Sequence, residues 1–196
     1  MYRKQMLFQK ILCFAAIAAA ALVFLYALGL MTDLYDGLYY TMMDPTNPHD
    51  TWVTGSWIYY DMQPFNRSLL SNSIVMVLLS CLLFLTGTHK RRRYYAANAV
   101  ATFAFAGAGA ALSAWAHGEI SAYKAQFLEI NFEELQFFSE LMETPYIDST
   151  FWFDAHYAVF AVVLIVSAAL VINFFLKLSL MKEERRLIEE GRRAGK

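Results

Sequence analysis

Lys, Arg and Glu are missing from four long stretches of this sequence, although the chain as a whole is nearly neutral. Of its 196 residues, 58% are hydrophobic and only 17% are charged, with a formal net charge of −1. Soluble domains carry about 45–50% apolar and about 25% charged residues. Nearly all the charges lie between the apolar stretches, a distribution typical of polytopic membrane proteins. The composition therefore indicates a membrane protein.

Cysteine is also scarce. Cys13 and Cys81 are the two cysteines of the chain, and each lies inside an apolar stretch. They form no CxxC pattern and offer no disulfide framework. The sequence therefore offers no pattern for a thiol redox centre or a cysteine-based zinc site, and we expect two small buried apolar side chains.

The four apolar stretches are each long enough to cross a bilayer, which takes about 20 residues of helix. They cover residues 11–31, 69–88, 94–116 and 153–176. We therefore expect an all-α integral membrane protein, in which residues 1–196 form a single domain built as a bundle of four transmembrane helices. The expected location is a bacterial plasma membrane.

The positions of Lys and Arg predict how the chain is threaded through that membrane. These residues concentrate in the N-terminal segment, in the turn at 89–93 and in the tail at 177–196, whereas the segments 32–68 and 117–152 hold only Arg67 and Lys124. Because Lys and Arg are retained on the cytoplasmic side, we expect both termini to be cytoplasmic and the two long segments to be outer loops.

The first apolar stretch has a second interpretation. A basic start, an apolar core and small residues near Ala27 and Gly29 resemble a signal peptide that would be cleaved. The apolar part is longer than the 7–15 residues usual for such a peptide. An uncleaved helix is the favoured interpretation.

Aromatic residues dominate the first outer loop, residues 32–68, which argues against disorder there. The stretch 44–50 has the proline, asparagine and aspartate of a turn cluster. Residues 51–60 surround Gly55 and Ser56 with β-forming residues, which is typical of a short hairpin. An alternative is that the aromatic side chains form an interfacial belt at the lipid headgroups.

The second outer loop, residues 117–152, has apolar residues at nearly helical spacing from Ile120 to Met142, and Pro145 ends the pattern. The polar side of this pattern is acidic. We expect an amphipathic helix that contacts the first loop, because a helix lying on anionic lipid would be basic.

The charged tail, residues 177–196, is predicted to continue the fourth helix. Arg186 and Glu190, among others, are spaced i,i+4, which stabilises a solvated helix by about 0.2–0.5 kcal/mol per pair. Met181, Leu187 and Ile188 form a short apolar strip. A solvated extension and a docking strip for a partner are both open.

Polar and small residues inside the spans predict helix packing. Asn98 and Asn173 lie at equal depth, which predicts a hydrogen bond between their two helices. Ala106, Ala110 and Ala114, with Gly109 and Ser113 beside them, form a stripe of small residues. We expect this stripe to pack inside the four-helix unit rather than against a second protein.

Ionisable residues are absent from the middle of every span, which counts against a stand-alone secondary transporter. His117 and His156 lie at the outer ends of two spans, with Glu119 and Asp154 close to them in sequence. Imidazole and carboxylate groups are ligands for zinc and other divalent metals, and His49 is a further candidate. The spacing matches no established ligand pattern, so we commit to no metal, no other cofactor and no catalytic residue.

The basic turn of Lys90, Arg91, Arg92 and Arg93 joins two spans within about five residues, too short a segment to enter a nucleic-acid groove. Anionic lipid headgroups are its expected partner, with about 1 kcal/mol per cation. The expected function is that of an accessory or assembly subunit bound to another membrane protein, without enzymatic activity. The alternative is a transporter or channel component that recognises a ligand at the outer face, and a metal-dependent enzyme ranks last.

Overall fold

Five helices and one short ribbon make up the described part of the chain, which in this computed structural model comprises residues 2–33, 43–44, 46–88, 95–143 and 145–194. In chain order the elements are α1 (Tyr2–Asp33), β1 (Met43–Asp44), β2 (Asn47–Thr51), α2 (Ile58–Gly87), α3 (Tyr95–Phe127), α4 (Phe132–Met142) and α5 (Phe151–Ala194). α1, α2, α3 and α5 are long and apolar enough to span a membrane. The prediction of four helices long and apolar enough to span a membrane is confirmed.

The four long helices pack as a ring, in which α1 contacts α2, α2 contacts α3, α3 contacts α5, and α5 closes onto α1. Each helix contributes a seam of residues at alternating spacings of three and four, the pattern of knobs-into-holes packing. On α2 the seam is Met62, Asn66, Leu69, Ser73, Met76, Ser80, Leu83 and Gly87. The core of the molecule therefore lies along the axis of the ring.

The two ends of the bundle are marked by different contacts. At one end, Tyr26 of α1 donates a hydrogen bond of 2.8 Å to the Trp152 carbonyl of α5. At the same end, Phe65 of α2 packs on Trp115 and Tyr123 of α3, with ring centroids 5.1 and 5.6 Å apart. We call this the loop end. The opposite end, where Gln9, Asn98 and Asn173 lie, is called the tail end.

Each long helix extends beyond the apolar stretch that predicted it. The second begins at Ile58 rather than at 69, with Pro64 inside its second turn. The third continues past 116 to Phe127, and the fifth runs through the tail to Ala194. In that tail Arg186 Nε lies 3.6 Å from Glu190 Oε1.

The predicted hairpin at 51–60 is wrong. The ribbon lies earlier, where β1 pairs antiparallel with β2 around Thr46. Residues after β2 instead turn directly into α2, because Ser56 Oγ donates to the Val53 carbonyl at 2.8 Å and Gly55 adopts a φ of +87°. Gly55 also touches the turn after α3, since a Cβ there would lie 3.1 Å from Ile130 Cα.

The predicted amphipathic helix is divided in two. Residues 117–127 extend α3, a turn follows at 128–130, and α4 begins after Asn131, whose side chain accepts from Glu134 N at 3.4 Å. The break allows Ile130 and Leu135 to point into the core. Trp52 packs on Phe138 of α4 with ring centroids 5.4 Å apart, so the two loop segments are in contact.

The stripe of small residues on α3 is also divided. Gly109 and Ser113 are buried inside the ring, whereas Ala110 and Ala114 are exposed on its outer surface. The expectation that the whole stripe packs inside the unit is therefore wrong for these two alanines. Helical spacing of 100° per residue places neighbours in the sequence on different faces.

Candidate functional site

Two histidines form a hydrogen-bonded pair at the loop end, between α3 and α5. His117 Nδ1 lies 2.9 Å from His156 Nε2, and His156 Nδ1 contacts the Phe153 carbonyl one turn earlier on α5. His156 is 2% exposed, while His117 is exposed. Tyr157 covers the pair, with its ring centroid 4.0 Å from that of His156.

The hydrogen bonds fix the tautomers of the neutral pair. A carbonyl oxygen only accepts, so His156 Nδ1 carries the proton that it donates to Phe153. His156 Nε2 is then an acceptor, and His117 Nδ1 donates to it. The lone pair on His117 Nε2 remains, on the exposed ring.

The carboxylates proposed as metal ligands have other contacts. Asp154 Oδ1 accepts from Lys124 Nζ at 2.6 Å, and Asp154 Oδ2 accepts from Thr150 Oγ1 at 2.7 Å. Glu119 is half-exposed on α3. His49 lies elsewhere, with Nε2 3.2 Å from Asp61 Oδ1. In the described ranges, no three histidine, cysteine, aspartate or glutamate side chains are grouped so as to hold a metal ion.

A cluster of amides lies at the tail end between α1, α3 and α5. Gln5 Nε2 donates to Asn173 Oδ1 at 3.4 Å, and Asn173 Nδ2 donates to Gln9 Oε1. Lys177 Nζ donates to Asn98 Oδ1 at 3.5 Å. We call these five residues the tail-end polar cluster.

The predicted hydrogen bond between Asn98 and Asn173 is not formed. Both residues belong to the tail-end polar cluster and are buried, but Asn173 bonds to α1 and Asn98 bonds to Lys177. Equal depth placed both residues at the same end of the bundle without identifying their partners. The basic turn Lys90–Arg93 lies outside the described residues.

Sequence reasoning missed the contribution of α1 to this cluster. Gln5 and Gln9 are spaced i,i+4, with Cys13 one further turn along, where Gln9 Nε2 lies 3.6 Å from Cys13 Sγ. Three such residues on one face of a helix are a readable signal. The interpretation of the sequence used only the basic residues that precede the first span, as a signal for orientation.

A second missed residue is Asn66 on α2. Its side chain is 0% exposed, and neither Oδ1 nor Nδ2 has a hydrogen-bond partner among the described residues. A buried amide without partners is unusual and calls for a physical reason. Because the sequence placed this residue in a loop, its burial was not predicted.

Comparison of the chain with protein-family models, curated proteins and solved structures finds no match in any of the three.

Proposed function

We propose that this chain is an accessory or assembly subunit of a larger membrane complex, with α3 as its docking helix. The observation that supports the proposal is the outer surface of α3. Between Phe103 and His117, the exposed residues of this helix are Gly107, Ala110, Ala111 and Ala114. We call this surface the small-residue face.

The other long helices also expose large side chains, although α1 and α5 expose alanines such as Ala21 and Ala161 between them. α1 exposes residues such as Leu22 and Leu25, α2 exposes Leu78 and Leu82, and α5 exposes Ile165 and Ile172. Lipid chains pack readily against such side chains. The small-residue face differs because its exposed residues are glycine and alanine alone over 104–116, with nothing within 4 Å of a Cβ built at Gly107.

Small residues favour contact between helices in membranes because they let two backbones approach closely, which increases van der Waals contact. Lipid chains are as apolar as the helix surface, so the hydrophobic effect does not drive two helices together in a membrane. Shape and close packing therefore decide whether one helix binds another. A partner helix is therefore the expected neighbour of α3.

α4 supplies a second contact surface at the loop end. Its outward side exposes Phe137 and Leu141, which are 64% and 61% exposed, next to Glu133, Glu134 and Glu140. Three glutamates without a basic residue disfavour an anionic bilayer surface. An apolar pair with an acidic rim fits a partner protein whose contact surface is basic at its edge.

The orientation follows from the Lys and Arg residues. We propose that the tail end faces the cytoplasm and that Lys90–Arg93 contact anionic headgroups there. Fusion of a periplasmic-only reporter enzyme after Ala194 should give no activity, whereas insertion of the same reporter after Thr46 should give activity. The reverse result would contradict this orientation.

Co-purification in mild detergent tests the subunit proposal, with two alanine-to-leucine variants compared. Ala111→Leu places an isobutyl group on the small-residue face, and Ala21→Leu places the same group on the exposed side of α1. We expect a membrane-protein partner at fixed stoichiometry with the wild type and with Ala21→Leu, and its loss with Ala111→Leu. Photocrosslinking from position 111 should identify the same partner.

A chain that purifies without a stoichiometric partner would contradict the proposal. So would equal behaviour of the two variants, because it would show that the small-residue face is not the contact surface. The thermal midpoint of each purified variant is the control for folding, and both should match the wild type.

A further inference from the structure

A cavity of about 410 Å³ opens at the loop end between α1 and α2, lined by Met31, Thr32, Gln63 and Arg67. Its volume falls within the range of about 300–1,000 Å³ that is usual for small-molecule sites. The cavity lies to one side of the ring axis, because its α2 residues flank the buried seam that contains Asn66. It is separate from the histidine pair and from the tail-end polar cluster.

Arg67 gives this cavity a positive charge, and no side chain in the described part of the chain forms an ion pair with it. Ion pairs in the described chain join His49 to Asp61, Lys124 to Asp154 and Arg186 to Glu190, and none of them involves Arg67. Arg67 is also the only lysine or arginine between 32 and 68, a segment that is otherwise acidic. A guanidinium left unpaired in such a segment has the geometry to bind an oxyanion through two parallel hydrogen bonds.

The other lining residues fit a ligand that carries an apolar chain next to its anionic head group, that is, an amphiphile. Met31 offers a flexible apolar surface that adapts to a hydrocarbon chain, and α1 exposes Leu28 on the outer surface of the bundle one turn earlier. Gln63 and Thr32 make the rest of the lining polar, although Thr32 Oγ1 already donates to the Gly29 carbonyl at 3.1 Å, so Arg67 is the group that would hold the oxyanion. The polar group that would bind a head group and the apolar surface that would bind an acyl chain therefore lie side by side.

We infer that this cavity binds an anionic amphiphile, whose carboxylate or phosphate oxygens pair with Arg67 and whose acyl chain lies against Met31 and the bilayer. The head group could come from a fatty acid or from an acidic phospholipid. Both share an oxyanion attached to an acyl chain, which is the chemistry that the cavity recognises.

Native mass spectrometry of the full chain in detergent tests the inference. Oleate, phosphatidylglycerol and phosphatidylcholine are titrated separately, and the dissociation constant of each is measured. We expect oleate or phosphatidylglycerol to bind more tightly than phosphatidylcholine, and the tighter of the two identifies the head group. Equal affinity for all three amphiphiles would overturn the inference.

Variants locate the binding site. Arg67→Gln should weaken binding of the preferred amphiphile by at least about tenfold, because it removes two hydrogen bonds to a charged group and each is worth about that factor. Lys124→Gln removes a positive charge at the same end of the bundle and should change the affinity by less than about twofold, because exposed ion pairs contribute little. Arg67→Lys, which keeps the charge without the planar fork, should fall between wild type and Arg67→Gln.

Thr32→Phe is the second test, since it fills the cavity and leaves every charge in place. It should weaken binding while Lys124→Gln does not. If Thr32→Phe leaves the affinity unchanged, the amphiphile binds outside the cavity. If Arg67→Gln and Lys124→Gln weaken binding equally, the affinity depends on the net positive charge of this end of the bundle and not on Arg67 itself. Either result would overturn the inference.

Discussion

Two glycines of α3, two residues apart, face opposite environments. A Cβ built at Gly109 would lie 2.9 Å from Val163 Cγ1 and 3.3 Å from Ser167 Oγ, whereas one built at Gly107 meets nothing within 4 Å. Valine has little freedom to move away, because its χ1 is nearly fixed in a helix. The absence of a side chain at 109 therefore sets how closely α3 and α5 pack.

The same substitution at the two glycines should separate these environments. Gly109→Leu is expected to destabilise the bundle by at least about 1–3 kcal/mol, since it forces extra methylenes into a filled core. Gly107→Leu should leave the stability unchanged or slightly higher, because leucine has the better helix propensity. Unfolding in mixed micelles measures both, and equal destabilisation would contradict the packing described for Gly109.

At the scale of the element, α5 changes its environment along one continuous helix. Its first half alternates buried and exposed residues, such as Val163, Leu170 and Asn173 on the inner side. From Lys182 to Ala194 every described residue is exposed. The tail therefore adds nothing to the core of the isolated chain, although Leu187 and Ile188 form an exposed apolar strip.

Leucine-to-alanine substitutions on α5 test this division. Leu170 is 1% exposed and Leu187 is 56% exposed. Leu170→Ala should cost about 2–5 kcal/mol through the cavity that it leaves, while Leu187→Ala should stay within about 0.5 kcal/mol of the wild type. Thermal unfolding of the purified chain provides the comparison. A large loss for Leu187→Ala would show that the tail folds back on the protein.

The long helices could be predicted from the sequence because an apolar run of that length has few other stable states in a membrane. Their first turns could not, since residues such as Pro64 and Asn66 resemble a loop until the partner that buries them is known. The hairpin prediction failed for a related reason. Whether β-forming residues such as Trp52 and Val53 pair as strands depends on their neighbours, and here Gly55 and Ser56 supply a turn into α2.

The candidate sites were predictable in position and not in pairing. The sequence placed His117 and His156 at the ends of two spans without predicting the bond between them, and Asp154 pairs with Lys124 rather than with an imidazole. Depth along a helix follows from a rise of 1.5 Å per residue. The rotation of each helix, which decides which side chains face each other, depends on the packing of the whole ring.

At the scale of the whole molecule, contacts between the first and last helices close the ring. Gln5 and Gln9 of α1 bond to Asn173 of α5, more than 160 positions away in the sequence. At the loop end, Tyr26 makes the corresponding contact with Trp152. The chain thus joins its first and last helices at both ends of the bundle.

A double-mutant cycle measures what this closure contributes. Gln9→Ala and Asn173→Ala each remove one side of the hydrogen bond, and their coupling should be about 0.6–1.7 kcal/mol, the range found for hydrogen bonds between membrane helices. Gln9→Ala combined with Asn66→Ala is the control, because Asn66 lies about 30 Å away along the bundle, 21 positions before the end of α2 at Gly87. Those two changes should be additive within about 0.5 kcal/mol. Equilibrium unfolding in bicelles gives all the required free energies. A coupling near zero would show that the hydrogen bond between Gln9 and Asn173 contributes nothing to closing the ring.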